Sequence, residues 1–277
     1  MNIFFFGHTS FAAQNLLKEL KWRNNIFLFS RQKNKKNFFY FDLKKRNRRI
    51  FKNIKIKKIN YLFYFSSFVP LDEKNSNWEE CKKINIFGLI NLLKDIKIPI
   101  EKIILASSCS VYGSERNKLF NEKSYLNPEN SYSMSKFMQE KLLKVYCDNN
   151  GIDFLCYRIG YVFGSKMNKK RLVKKILLNY KKRKKVKIYN KNLNLNLIHT
   201  EDIAYIINKT YRNALGIFNL TNTKQTSLGT FYKMLVKKKF TKTEQANNFS
   251  SKKLFEKYHN LKKINLEKKI VNFIDEN

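Results

Sequence analysis

Proline and glycine are scarce in this chain of 277 residues, which carries 3 and 8 of them, so no linker long enough to separate independent domains is marked. The four cysteines, Cys81, Cys109, Cys147 and Cys156, form no C-x-x-C pair, and the three histidines, His8, His199 and His259, lie far apart. Zinc sites and disulfide frameworks are thereby excluded as expectations, which leaves buried thiols in a reducing compartment and no metal site. No apolar run approaches the roughly 18 residues of a membrane span. The opening Met1-Asn2-Ile3-Phe4-Phe5-Phe6 meets Gly7-His8 too soon for a signal peptide, so a cytoplasmic protein is expected. Acidic residues are also few, 21 against 57 Lys and Arg, for a formal net charge of +36. Such an excess attracts phosphates. The lysines are nevertheless spread over nearly every surface that the sequence predicts, and no RNP, helix-turn-helix or zinc-finger pattern accompanies them. Compositional drift therefore explains the charge better than a specific nucleic-acid or membrane partner, although a basic nucleic-acid-binding protein stays open as an alternative.

The length suits one large α/β domain, or such a domain with a small cap. Its first half alternates apolar strands with helical stretches, the pattern of a doubly wound parallel sheet covered on both faces. Strands are expected near 2–6, 26–30, 38–41, 60–66, 102–107 and 153–159. Helices are expected over Ala12 to Lys21, with Leu16, Leu17 and Leu20 on one face, and over Trp78 to Lys94. After Gly164 the pattern changes to a Lys-rich helix over Asn168 to Lys182, a short strand over Val186 to Tyr189 and a polar loop. A helix over Thr200 to Tyr211 and a strand over Gly216 to Leu220 then return to the sheet. The expected division is a dinucleotide-binding core over 1–165, completed by 195–222, and a small substrate-binding cap from 166–194 and 223–277.

Two stretches carry candidate chemistry. Phe4-Phe5-Phe6 runs into Gly7-His8-Thr9-Ser10-Phe11-Ala12-Ala13, a strand-to-helix turn whose backbone N–H groups could receive a pyrophosphate. Ser10 and Ala13 stand where a dinucleotide turn often has further glycines, so close backbone approach rests on small side chains. The second stretch is Ser107-Ser108-Cys109-Ser110-Val111-Tyr112-Gly113 with Tyr132-Ser133-Met134-Ser135-Lys136. Tyr-x-x-x-Lys recurs at Tyr40, Tyr180, Tyr205 and Tyr258, and context selects Tyr132. The run Lys102 to Ala106 reads as a buried parallel strand ending at Ser107-Ser108, and ligands of open α/β sheets gather at such ends. On a helix Lys136 shares a face with Tyr132, where its charge would favour the phenolate. A buried helix tyrosine without chemistry is the plain alternative.

Taken in order, these residues resemble the extended short-chain dehydrogenase/reductase family, also called the NAD-dependent epimerase/dehydratase family. The resemblance extends to Asp42-Leu43, Phe65-Ser66-Ser67, Asn85-Ile86-Phe87-Gly88, Arg158 to Gly164 and His199-Thr200-Glu201-Asp202-Ile203-Ala204. It implies a Rossmann-type sheet with a small C-terminal cap. By the same resemblance Tyr132 is the general acid/base, Lys136 lowers its pKa and holds the nicotinamide ribose, and Ser108 hydrogen-bonds the reacting oxygen, with Ser107 the neighbouring alternative. Gly7, Thr9, Ser10, Phe11 and Ala13 would line the cofactor turn, Asp42 and Leu43 the adenine, and Ser66 and Asn85 the rest of that site. Strand two ends at Ser30-Arg31 without the acidic residue that binds both ribose hydroxyls of NAD. Arg31 could instead receive a 2′-phosphate, so NADP is preferred over NAD.

Cys109-Ser110 stands where sugar dehydratases of this family have an Asp-Glu pair, which disfavours 4,6-dehydration. Cys109 also invites comparison with an epimerase–reductase subgroup that keeps a cysteine near its serine. Substrate contacts are expected from Ser108, Cys109 and Tyr161, the last standing where nucleotide-sugar enzymes commonly have Asn. Leu195 stands near the position of a customary Arg, for which the basic stretch at Lys166, Lys169, Lys170 and Arg171 could compensate. The expected function is an NAD(P)-dependent oxidoreductase or epimerase acting on a sugar, with a nucleotide sugar as the expected form, of 4-epimerase or 4-keto reductase type, in surface-glycan synthesis. The family also implies a homodimer through the helices at Trp78 to Lys94 and Tyr132 to Tyr146. A catalytically degenerate cofactor-binding scaffold or sensor is the alternative.

Overall fold

The computed structural model describes residues 1–20, 25–31, 38–73, 75–114, 119–184, 186, 188, 190–223, 226–237, 249–262 and 265–276. Strands β1 (Asn2–Phe6), β2 (Asn25–Ser30), β3 (Phe38–Tyr40), β4 (Ile59–Tyr64), β5 (Ile100–Ser108), β6 (Asp153–Ile159) and β9 (Gly216–Leu220) form one sheet. Their order is β3-β2-β1-β4-β5-β6-β9, and every pairing is parallel. The chain winds outward from β1 in one direction and from β4 in the other, so the crevice where ligands collect opens between them at the carboxyl ends. The expected doubly wound sheet is thus observed, and its strand bounds differ from expectation by one or two residues.

Near-continuous apolar strands are what a sheet buried on both faces requires. Phe4 and Phe6 pack on one face with Phe29, Phe41 and Phe51, while Ile3 and Phe5 pack on the other with Phe63, Ile104 and Leu155. Helix α1 (Leu16–Leu20), helix α2 (Arg48–Lys52) and the run α3 (Trp78–Glu80) to α4 (Gly88–Asp95) connect the strands of the first half. Residues Cys81–Phe87 between α3 and α4 form a π-helical stretch. Helix α1 is shorter than expected: Phe11–Ala13 is a 3₁₀ turn, and Gln14 and Asn15 turn their amides onto the Thr200 hydroxyl at 3.3 and 3.0 Å. Its expected end at Lys21 lies outside the described residues.

Helix α5 (Ser131–Asn150) starts with a capping box between Asn130 and Ser133 and stops at Gly151 in the left-handed region. After β7 (Tyr161–Phe163), helix α6 (Leu172–Lys181) begins later than expected because Asn168 first makes a turn, its side chain accepting from the Lys170 N–H. Strand β8 (Leu197–His199) pairs with β7 in a small second sheet that the sequence did not announce. Helix α7 (Thr200–Thr210) follows directly. Helices α8 (Leu228–Lys237), α9 (Lys252–Lys257) and α10 (Leu266–Asp275) complete the chain. A separate apolar cluster joins Phe163, Val173, Leu177, Leu197, Phe231 and Phe273, drawn from β7, α6, β8, α8 and α10. Leu195 is buried in this cluster. The strand expected over Val186 to Tyr189 lies partly outside the described residues, and Val186 and Ile188 pack on the same cluster without joining a strand. Among the described residues no helix is long and apolar enough to cross a membrane, and no group of His, Cys, Asp and Glu is arranged to hold a metal ion.

Candidate active site

A cavity of about 750 Å³ lies at the carboxyl ends of the strands. It is walled by the turn after β1, the ends of β2 and β3, the loop after β4, the end of β5, the start of α5 and the segments after β6 and β7. The size falls in the range of small-molecule sites.

The turn after β1 needs its glycine. Gly7 has φ +80°, and a Cβ there would lie 2.5 Å from the Ser66 backbone nitrogen. The chain therefore passes directly against the residues that follow β4. Thr9, Ser10 and Phe11 line it, and the buried Ser10 hydroxyl has no hydrogen-bond partner among the described residues. An unpartnered hydroxyl on a turn that lines the cavity suits an anion, so this turn fits the diphosphate of a dinucleotide. Ala13 does not line the cavity; it is fully buried in the core, and its small size lets the turn settle on the sheet.

Arg31, Asp42, Leu43 and Ser66 line the same cavity. Asn85 does not. Its amide instead accepts from the Phe68 N–H at 2.7 Å and donates to the Phe68 carbonyl at 3.1 Å and the Ser135 hydroxyl at 2.8 Å. Asn85 therefore ties the loop after β4 to α5, a supporting contact rather than a lining one. Close approach on this side is also set by Gly88, where a Cβ would meet the Leu43 side chain at 2.8 Å.

Ser108, Tyr132 and Lys136 share one part of the wall. Ser108 caps the turn that follows β5, its hydroxyl accepting from the Ser110 N–H at 3.2 Å and the Ser110 hydroxyl at 3.0 Å. Burial pushes the Tyr132 phenol well up, and the nearby Glu73 carboxylate adds to this, against Arg171 and a side-chain hydrogen bond with Ser108. Burial brings the Lys136 ammonium down to about 8. Its three protons reach the Ser67 hydroxyl at 2.6 Å, the Ala106 carbonyl at 2.8 Å and the Gln139 side-chain oxygen at 3.1 Å. The groups that act on the phenol through charge include Glu73, Arg171 and Cys81.

Ser107 takes another part. Its hydroxyl bonds the buried Glu140 carboxylate, which also receives Arg158 at 2.7 Å. Arg158 continues to the Tyr112 hydroxyl at 2.8 Å, and Tyr112 to Asn219 at 2.7 Å. Cys109 points into this interior, its sulfur 3.1 Å from the Arg158 carbonyl oxygen, and burial pushes its thiol up. It does not line the cavity, so the chain geometry gives it no contact with a substrate there. All four cysteines are free and buried.

Tyr161 lines the cavity beside Lys166, Asn168 and Arg171, while Lys169 and Lys170 stay outside. Glu73 and Glu80 also line it and carry no motif, and Lys44, the lysine of the Tyr40 match to Tyr-x-x-x-Lys, lines it too. Glu73 sits on an irregular loop, and burial raises its carboxyl pKa against the pull of Arg171.

The sequence model of the NAD dependent epimerase/dehydratase family matches residues 3–220. The UDP-glucose 4-epimerase of Mycoplasma genitalium is 27% identical over 46% of this chain and 39% of its own length. The matches span 29% to 39% of the length of the first three curated relatives. Among solved structures, the UDP-glucose 4-epimerase of Thermus thermophilus in complex with NAD superposes with a TM-score of 0.81 at 17% identity, covering 100% of this chain and 98% of that one. RMD from Pseudomonas aeruginosa, complexed with NADPH, gives a TM-score of 0.81 at 14% identity, over 99% and 98%. At these identities the superpositions establish the shared fold.

Proposed function

The chain belongs to the NAD dependent epimerase/dehydratase family, and on that premise we propose that it is an NAD(P)-dependent enzyme acting on a nucleotide sugar, of 4-epimerase or 4-keto reductase type. The observation that carries this reading is the meeting of Ser108, Tyr132 and Lys136 on the wall of a cavity that also holds the Gly7 turn. Gly7, Thr9, Ser10 and Phe11 would hold the diphosphate of the dinucleotide, Asp42 and Leu43 its adenine, and Arg31 a 2′-phosphate, which favours NADP. When bound, the nicotinamide supplies the hydride acceptor and donor.

The side chains handle the proton. Because its pKa is raised, Tyr132 is protonated in neutral water and is set to give its hydroxyl proton to a substrate oxygen that becomes basic on reduction. In the reverse step the same oxygen atom takes the proton back. Ser108, hydrogen-bonded to Tyr132, orients the substrate oxygen. Lys136, anchored by three acceptors, holds positive charge next to the transfer and so offsets charge developing on oxygen. Cys109 lies buried outside the cavity, and no carboxylate pair stands after Ser108, which supports simple redox or epimerisation over 4,6-dehydration.

Residues 166–194 and 223–277 act in this reading as the substrate-binding cap, with Tyr161, Lys166 and Arg171 facing the sugar and its phosphates. Surface-glycan synthesis in the cytoplasm is the proposed setting. The exposed Phe87 on the helix run before β5 and Val145 on α5 support self-association through these helices, and sedimentation showing only monomer at micromolar concentration would remove it.

The test incubates the purified, nucleic-acid-free protein with UDP-glucose and, separately, with a 4-keto nucleotide sugar and NADPH or NADH. Epimerised sugar without net cofactor consumption supports the epimerase form, and stoichiometric NAD(P)H oxidation the reductase form. Saturable cofactor binding with neither conversion would favour the scaffold or sensor reading instead.

A further inference from the structure

Lys44 and Glu80 both line the cavity, and β2 and β3 run side by side, with Ser30 opposite Tyr40 and the Phe41 N–H on the Ser30 carbonyl, so the loop that carries Asp42 and Lys44 leaves the sheet beside Arg31. Their side chains form an ion pair, Lys44 Nζ lying 3.1 Å from Glu80 Oε1 and 2.9 Å from Oε2. Each backbone is pinned where the pair requires it. The Lys44 N–H donates to Asp42 at 3.0 Å, and the Glu80 N–H donates to the Asn77 side chain, also at 3.0 Å. The pair thus joins the loop after β3 to α3 across the edge of the cavity, with Lys44 and Glu80 side chains 34% and 38% exposed. An ion pair so open to water is weak, and an arriving anion can exchange with its carboxylate at little cost.

We infer that Lys44 is a conditional phosphate ligand and Glu80 its competitor, and that together they set how strongly the site distinguishes a dinucleotide bearing a phosphate on its adenosine ribose from one without it. This rests on the dinucleotide reading of the cavity. A doubly charged phosphate offers Lys44 and Arg31 a stronger partner than a single carboxylate does. Glu80 opposes this twice, by holding Lys44 and by repelling the incoming anion. Neither effect acts on a free 2′-hydroxyl, so the pair acts on preference more than on overall affinity. Arg31, exposed at the end of β2, supplies the other cation.

The experiment is a fluorescence titration of the full chain, Glu80→Gln and Lys44→Gln with NADPH and NADH at two salt concentrations. Glu80→Gln is expected to raise the NADPH-to-NADH affinity ratio about three- to tenfold, and Lys44→Gln to lower it by a similar factor, with NADH affinity held within about twofold. The gain in Glu80→Gln should shrink as salt is added. An unchanged ratio in both variants, with NADH still binding, overturns the inference and leaves the cofactor reading standing. Binding of neither cofactor to the unaltered protein overturns both.

Discussion

The two walls of the cavity are built by different means. On the reactive wall, every group is fixed by a partner of its own: Lys136 by Ser67, Ala106 and Gln139, Ser108 by Ser110, and the neighbouring Ser107 by Glu140. The opposite wall, proposed to face the substrate, carries Tyr161, Glu73 and Arg171 from loops and a short strand, and there Glu73 and Arg171 act on each other, on Tyr161 and on Tyr132 through charge. A group that exchanges a proton must keep one geometry, whereas groups that recognise a substrate can vary with it.

The largest expected effect comes from breaking the reactive wall. Tyr132→Phe removes only the hydroxyl that exchanges the proton, so turnover should fall about 10²- to 10⁴-fold while cofactor affinity stays within about threefold. Steady-state rates and a fluorescence titration on the same preparation measure both; a variant that keeps wild-type turnover would move the proton chemistry to another residue. Gly7→Ala should come next. Its positive φ and the 2.5 Å approach to Ser66 leave no room for a methyl group, so the melting temperature should drop by the equivalent of about 1–3 kcal/mol and cofactor binding should weaken more than tenfold. Normal binding in Gly7→Ala would show that the turn is not the diphosphate site.

How legible each wall was in the sequence follows from the same contrast. The alternation of strands and helices, the Gly7 turn and the pairing of Tyr132 with Lys136 follow from local rules: apolar runs, a glycine at a strand end, and a four-residue helical spacing; Ser108 came from the family resemblance. Those rules could not show that Asn85 supports α5 or that Cys109 turns inward, because both outcomes depend on partners far along the chain, Ser135 at one and Arg158 at the other. Glu73 and the Lys44–Glu80 pair were invisible for a related reason. They sit on loops whose paths are set by tertiary packing, and in a chain with 57 Lys and Arg no single lysine stands out. The β7–β8 pairing was missed because each strand spans only 3 residues.

A change on the substrate wall sharpens the comparison with a smaller effect. Glu73 raises the Tyr132 pKa, so Glu73→Gln should move the Tyr132-dependent limb of the pH–rate profile to lower pH. A profile that does not move, measured alongside Tyr132→Phe, would separate Glu73 from the reacting group and leave it a role in substrate shape alone.

The last test concerns the joint where β8 ends at His199 and α7 begins. Burial brings His199 down from 6.5 to about 4, and Lys269 from α10 adds to this while Glu201 opposes it. The same burial pushes Asp202 up from 3.8 to about 6, against Lys269 and with Glu201, and one Asp202 oxygen has no hydrogen-bond partner among the described residues to favour its charged form. Between about pH 4 and 6.5 the unfolded chain binds a proton on His199 that the folded chain refuses, so this group makes stability rise with pH. Between about 3.8 and 6 the folded chain keeps a proton on Asp202 that the unfolded chain has lost, so this group makes stability fall with pH. Each contribution reaches at most about 3 kcal/mol, and the two nearly cancel. Asp202→Asn should therefore leave a stability that climbs from pH 4 to 6.5, and His199→Gln one that declines, as read from urea midpoints across that window. Parallel slopes in the two variants would mean that the joint does not hold these groups in the neutral states that its burial dictates.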